Sequence, residues 1–252
     1  MKCYLYGEGQ EIRNRLLPII ILANRDDICY IEPMISENLK YVIRQFVERV
    51  LPACKPRELV IPTDTGKVVG LAGVRRSGKT FLFFDAIQRL AMQGVDRRRI
   101  LYLNFEDDRL HPIRAEELDL ILRSWHEVFP DMVGQHKYLF LDEVQNVSDW
   151  ERWIRRLYDT EDVQVFITGS SSQLLTRDLA TALRGRSITL EVFPLSFREY
   201  LTFRRIEVVP YSADNESRLR HELESYLFCG GFPEIVLADE ALRPLILEEY
   251  SS

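Results

Sequence analysis

The chain has 252 residues, 46% of them hydrophobic and 29% charged, with a formal net charge of −6. This suits a globular protein with one large domain and a smaller appendage, and the acidity excludes a surface given over to coating nucleic acid, though not a local basic patch. Cys3, Cys29, Cys54 and Cys229 are scattered without C-x-x-C spacing, as are the four histidines, so no zinc motif or disulfide framework is visible and a reducing, cytoplasmic setting is the default. The apolar run 16–23 contains Pro18, is too short to span a bilayer and lacks a small-residue cleavage site; it reads neither as a membrane span nor as a signal peptide.

In chain order, residues 1–35 read as an irregular or strand-rich lead-in. From Ser36 the positions Leu39, Val42, Ile43, Phe46, Val47, Val50 and Leu51 recur at three-four spacing, predicting an amphipathic helix that Pro52 stops. A proline-rich connector, 53–66, leads to a short buried strand, Val68 to Ala72. Next come Gly73, four residues and Gly78-Lys79-Thr80, and then a helix from Lys79 to about Gln93. Strand, G-x-x-x-x-G-K-T and helix together form the context that a phosphate-binding loop requires. The glycines let consecutive amides turn inward toward phosphate oxygens, and the helix start adds its positive end. The loop residues Gly73, Val74, Arg75, Arg76, Ser77, Gly78, Lys79, Thr80 and Phe81 are the candidate nucleotide contacts. Lys79 supplies charge for the β- and γ-phosphates, and the Thr80 hydroxyl is a ligand for Mg²⁺.

Further along, Ile100 to Phe105 reads as a second strand, continuously apolar and so buried on both faces, and an acidic cluster follows it. A helix around Leu118 to Phe129 comes next. Tyr138 to Val144 is a third strand that ends in Asp142 and Glu143. Ser148 and Glu151 are spaced as a capping box opening a helix with Trp150, Trp153, Ile154 and Leu157 on one face. Val163 to Ser171 reads as a fourth strand, residues around 174–183 as a helix and Ser187 to Val192 as a fifth strand. Beyond Pro194 the texture is helical, with a second capping box at Ser196 and Glu199. Strands alternating with helices predict an α/β, three-layer P-loop NTPase with a five-stranded, mostly parallel sheet and a small helical region after it. The divisions are 1–58 for the lead-in, 59–193 for the nucleotide domain and 194–252 for the helical region.

Asp142 and Glu143 emerge at the carboxyl edge of a central strand, where ligands of open α/β sheets bind. Asp142 is the second candidate for holding Mg²⁺, through water, and Glu143 for orienting and polarising an attacking water. GVRRSGKT, YLFLDEVQ and VFITGSSS, followed by LRGR, PLSFREY and GGFPE, resemble the prokaryotic predicted ATPases of the AAA superfamily, from about Leu59 onward. The resemblance implies that the strands bearing the phosphate loop and the paired acids flank the strand bearing a sensor residue, Thr168 or Ser170. It also implies an arginine finger, Arg184 or Arg186, acting on a neighbouring subunit of a homo-oligomer, and Asn104 as a residue restraining Glu143. Family members generally continue into another domain, so the chain reads as a fragment, or as one whose partner module is lost or supplied elsewhere.

The function expected is Mg²⁺-dependent ATP binding and hydrolysis in a switch or remodelling module, with no membrane component. A nucleotide-gated DNA-binding module is the alternative, with Arg204, Arg205, Arg218 and Arg220 lining a basic face. A small-molecule kinase is a third reading, against which the adjacent Asp-Glu pair argues. The protein or DNA partner is not legible from sequence.

Overall fold

The computed structural model describes residues 28–169, 181, 183, 185–209 and 213–251. Ser170, Arg184, most of the helix expected over 174–183 and the lead-in before residue 28 lie outside the described residues. Five strands form one sheet: β1 (Val68–Ala72), β2 (Ile100–Asn104), β3 (Lys137–Asp142), β4 (Val163–Gly169) and β5 (Ser187–Glu191). The order is β2-β3-β4-β1-β5 and every pairing is parallel, so all carboxyl ends share one edge. As expected, β4 lies between β1 and β3.

Alternate residues of each strand face opposite layers. Leu101, Leu103, Leu139, Leu141, Val165 and Ile167 point to one side. There they meet helices α1 (Ile28–Glu48), α3 (Asp119–Val128) and α4 (Trp150–Thr160), through residues such as Leu39, Trp125 and Trp153. Ile100, Phe140 and Phe166 point to the other side, against α2 (Lys79–Met92), whose Phe83 contacts Phe140 and Phe166 edge-on. The Phe140 and Phe166 rings stack at 4.2 Å, so α2 rests on a rigid aromatic floor.

After β5 the chain forms α5 (Phe197–Phe203), α6 (Ala213–Cys229), α7 (Pro233–Leu237) and α8 (Arg243–Ser251), with an apolar cluster of their own around Leu195, Tyr200, Phe203 and Val236. The Ser196–Glu199 capping box forms as expected.

Several elements differ from the sequence reading. Helix α1 begins at Ile28, within the segment read as an irregular lead-in. The Ser148 capping box does not form: Asp149 adopts the left-handed conformation (φ 56°) and becomes the N-cap, so α4 starts at Trp150. Strand β3 stops at Asp142, because Glu143 turns out of it at φ 55°. The last helix starts at Arg243, with Pro244 in its first turn where a missing N–H costs nothing.

The GGFPE segment, whose role the sequence did not reveal, becomes intelligible here. Gly230 ends α6 at φ 76°, its N–H donating to the Tyr226 carbonyl. Gly231 lies against the Leu195 backbone: it accepts the Leu195 N–H at 2.7 Å, and a Cβ there would stand 2.3 Å from the Leu195 carbonyl oxygen. Phe232 then caps α7, with Pro233 as its first residue. Gly231→Ala is therefore expected to cost about 1–3 kcal/mol through a backbone clash, read as a lower urea midpoint at unchanged slope; an unchanged midpoint would show that the segment yields.

Candidate active site

β1 runs into the loop at Gly73, where only glycine fits: a Cβ would lie 2.3 Å from the Val192 carbonyl oxygen. The loop then takes two left-handed residues, Arg76 (φ 64°) and Gly78 (φ 96°), and Gly78 is the N-cap of α2. A non-glycine residue in that region is strained, which is commonest at functional sites. Ser77 is fully buried, and its hydroxyl has no hydrogen-bond partner among the described residues. Lys79 is buried; its Nζ donates to the carbonyls of Gly73 (3.0 Å) and Val74 (3.1 Å) and stands 4.0 Å from Glu143 Oε1. Burial lowers the Lys79 pKa, and the Glu143 and Asp142 carboxylates oppose that shift.

The odd-even alternation that builds the core also builds the site. Tyr102, Asp142 and Thr168 follow Ile100, Phe140 and Phe166 on the α2 face, directly below the start of the helix. Thr80 Oγ1 donates to Asp142 Oδ2 at 2.7 Å, and Tyr102 donates its hydroxyl to the same oxygen at 2.9 Å. Thr168 Oγ1 donates to Asp142 Oδ1 and accepts the Glu143 N–H at 3.0 Å. Glu143 is held again at its tip, where Gln145 Nε2 donates to Oε2 at 2.5 Å. Burial pushes the Tyr102 phenol well up and the Asp142 carboxylate adds to it, so at neutral pH Tyr102 is a donor.

Lys79, Thr80, Asp142, Glu143 and Thr168, expected from sequence, thus converge at the carboxyl edge of β1, β3 and β4. Val74, Arg75 and Phe81 are exposed on the loop and the first turn of α2. Arg76 pairs with Glu249 at 2.8 Å and its guanidinium lies over the Tyr250 ring. Asn104 does not bond Glu143; its Oδ1 accepts the Glu106 N–H at 2.9 Å, the ordinary local turn of an asparagine closing a strand. Arg186 sits at the amino end of β5, with its carbonyl bonded to Val68 N, about 16 Å along the strand from the loop. It pairs there with Asp159 at 2.7 Å. It does not join its own chain's site. Of the four arginines expected to form a basic face, Arg218 and Arg220 lie on α6, where Arg220 pairs with Glu216 and Asp214, Glu222 and Glu224 share the helix.

Besides Gln145 and the Arg57 contact with the loop, two larger parts of the site were not read from sequence. Tyr102 looked like one more apolar position of β2, although its parity with Asp142 and Thr168 was there to be seen. The other is a cavity of about 800 Å³ that opens from Gly78 and Thr80 between the connector (Ala53, Lys55), Phe81, Phe203 and Leu237. Its walls come from both ends of the chain, and no local pattern announces it.

A family model described as an AAA domain matches residues 65–201, more than half of the chain. The chain belongs to this AAA-domain family. It is 38% identical over 196 residues to an uncharacterized protein of Methanocaldococcus jannaschii, MJ1544, covering 77% of this chain and 42% of the relative. It is 36% identical over 194 residues to an uncharacterized protein of Haemophilus influenzae, covering 76% of this chain and 46% of the relative. The chain thus spans less than half the length of these relatives. Among solved structures, C. elegans PCH-2 matches at 15% identity with a TM-score of 0.37, over 73% of this chain and 50% of that one. AMPPCP-bound DnaA from Aquifex aeolicus matches at 15% with a TM-score of 0.36, over 93% and 68%. No described helix is long and apolar enough to cross a membrane.

The Thr168 hydroxyl serves both acids from a fully buried position. Thr168→Val keeps the shape but leaves Asp142 Oδ1 and the Glu143 N–H without that partner. It is expected to lose about 1–3 kcal/mol in denaturant unfolding, and Thr168→Ser to recover most of it; a Val variant as stable as wild type would contradict this hydroxyl's role.

Proposed function

We propose that this chain is an ATPase that binds ATP with Mg²⁺ and hydrolyses it, the nucleotide core being residues 59–193 and the following helices one wall of the binding cavity. The observation that carries the reading is the 2.7 Å contact between the Thr80 hydroxyl and Asp142, with buried Lys79 beside it. A hydroxyl and a carboxylate at that spacing, both hard oxygen donors, match what Mg²⁺ takes when a phosphate supplies further ligands. The residues present therefore fit the ion. Mg²⁺, when bound, would neutralise charge on the β- and γ-phosphate oxygens.

The chain's own groups account for the rest. Loop amides and the start of α2 bind the phosphates, and the unpartnered Ser77 hydroxyl adds a polar atom within the loop. Lys79 is an ammonium that exchanges loop carbonyls for phosphate oxygens. Base and ribose fit the cavity of about 800 Å³ that opens from Gly78 and Thr80. Glu143, held at its backbone by Thr168 and at its tip by Gln145, orients a water and takes its proton as the water oxygen attacks the γ-phosphorus. The bond between that phosphorus and its β-bridging oxygen breaks, leaving ADP and phosphate. Thr168 acts as a positioning residue for the two acids. Arg186 fits a role only in the site of a second copy, for which it would have to leave Asp159.

Purified protein with ATP and Mg²⁺ is expected to release phosphate. Glu143→Gln should retain ATP affinity and lose turnover by on the order of 10²-fold or more, whereas Lys79→Ala should lose binding. ATP should raise the melting temperature of wild type and of Glu143→Gln but not of Lys79→Ala. Equal ATP binding by wild type and Lys79→Ala would overturn the assignment. If Arg186 acts in trans, specific activity rises with protein concentration and Arg186→Ala abolishes that rise.

A further inference from the structure

Arg57 lies on the connector before β1, in a stretch with no motif, yet its guanidinium reaches three groups through four hydrogen bonds. Nε donates to Glu199 Oε1 at 2.7 Å and Nη2 to Glu199 Oε2 at 3.4 Å. Nη2 also donates to the Phe193 carbonyl at 2.9 Å, and Nη1 to the Ser77 carbonyl at 3.0 Å, inside the phosphate loop. Glu199 is bound from every side by donors: beyond Arg57, the amides of Glu58 (2.8 Å) and Ser196 (2.9 Å) point at its two oxygens. The side chains are only 10% and 7% exposed, so the pair is enclosed and little screened. Burial raises the Glu199 carboxyl, but the guanidinium and the two amides outweigh it and leave it below the usual carboxylate range.

The contact with Ser77 has a consequence through the peptide plane. In a trans peptide the carbonyl of one residue and the N–H of the next point in opposite directions. An Arg57 that holds the Ser77 carbonyl therefore fixes the Gly78 N–H on the opposite side of the same peptide plane. Gly78 is held at φ 96° with the guanidinium so close that a Cβ would lie 3.3 Å from Nη1. Lysine could not reproduce this, because a single ammonium cannot span a carboxylate and two carbonyls in one plane.

We propose that Arg57 is a positioning residue that presets the Gly78 amide for phosphate, and that Glu199 of α5 holds it there, so that the helical region after the sheet sets the loop's nucleotide affinity. This rests on the nucleotide reading above and adds its regulation. The loop's own arginines do not share this arrangement: Arg75 pairs with Glu106 and Arg76 with Glu249, both at the surface.

The test is titration of a fluorescent ATP analogue, mant-ATP, with Mg²⁺ into wild type, Lys79→Ala, Arg57→Lys, Glu199→Gln and the double variant. Glutamine at 199 would present its amide to donors. Each single change is expected to raise the dissociation constant on the order of tenfold, within the usual range for coupled sites. The double variant should be no worse than either single, since both break one linkage. In ¹⁵N-glycine-labelled protein the Gly78 amide resonance should move in both variants before nucleotide is added, a shift that general loosening elsewhere would not produce. If Glu199→Gln does not fold, Arg57→Lys carries the same comparison. Wild-type affinity and an unmoved Gly78 resonance in the folded variants, with binding lost in Lys79→Ala, would overturn the clamp alone. Failure of wild type to bind mant-ATP would overturn the nucleotide reading and the clamp with it.

Discussion

The Asp142 carboxylate at the end of β3 is enclosed almost completely, and the site depends on how that charge is satisfied. An ionised carboxylate only accepts hydrogen bonds, and leaving it unpaired in such a place would cost several kcal/mol on the order expected for buried ions. Three hydroxyls supply the donors, each from a different element: Thr80 from α2, Tyr102 from β2 and Thr168 from β4. Parallel register makes this possible, because β2, β3 and β4 all end at one edge. The Tyr102 ring is in turn wedged between Phe46 of α1 and Phe84 of α2, at centroid distances of 5.5 and 5.2 Å. The acid is thereby tied to the same helices that close the core.

Of four left-handed non-glycine residues among the described residues, two lie at the site and two, Asp149 and Arg205, lie away from it. Arg76 and Glu143, neither a glycine, both adopt the left-handed conformation. Each such residue costs roughly 1–3 kcal/mol and persists only when its surroundings over-determine it. For Glu143 the determinant is the Thr168 hydroxyl on its amide; for Arg76 it is the turn into the Gly78 helix cap. The result is that Glu143 leaves the strand and stands beside Lys79 instead of continuing the alternation of β3.

What the sequence made legible was what depends on near neighbours along the chain. The phosphate loop, the strand before it, the helix after it and the acids ending β3 all follow from local spacing, as does the Ser196–Glu199 cap. Where backbone conformation was decided by tertiary packing, local rules misled: Ser148 has the right spacing for a cap, but Asp149 takes the left-handed turn in its place. The paired glycines 230 and 231 could be seen but not explained, because the reason for Gly231 is the Leu195 backbone thirty-six residues away in sequence. Tyr102, Arg57 and the cavity beside Gly78 belong to the same class. Their partners come from segments that only the folded sheet brings together.

Two arginine contacts join the phosphate loop to the helices after the sheet, and their exposure decides which of them matters. Arg76 reaches Glu249 and Tyr250 at the surface, with more than a third of each charged side chain in water; such a pair is worth about 0–1 kcal/mol and weakens with salt. Tyr250 then donates to Glu234 and packs on Phe232, which ties α8 to α7 and its N-cap. Arg57 and Glu199 are enclosed, multiply bonded and anchored to backbone at both ends. Removing one partner there leaves a charge stranded, a far larger penalty. Because binding linkages are reciprocal, whatever fixes the Ser77 carbonyl for phosphate must also respond to phosphate. On the proposed clamp, the buried pair would be the route by which an occupied loop bears on the position of α5, and the surface pair would at most trim it.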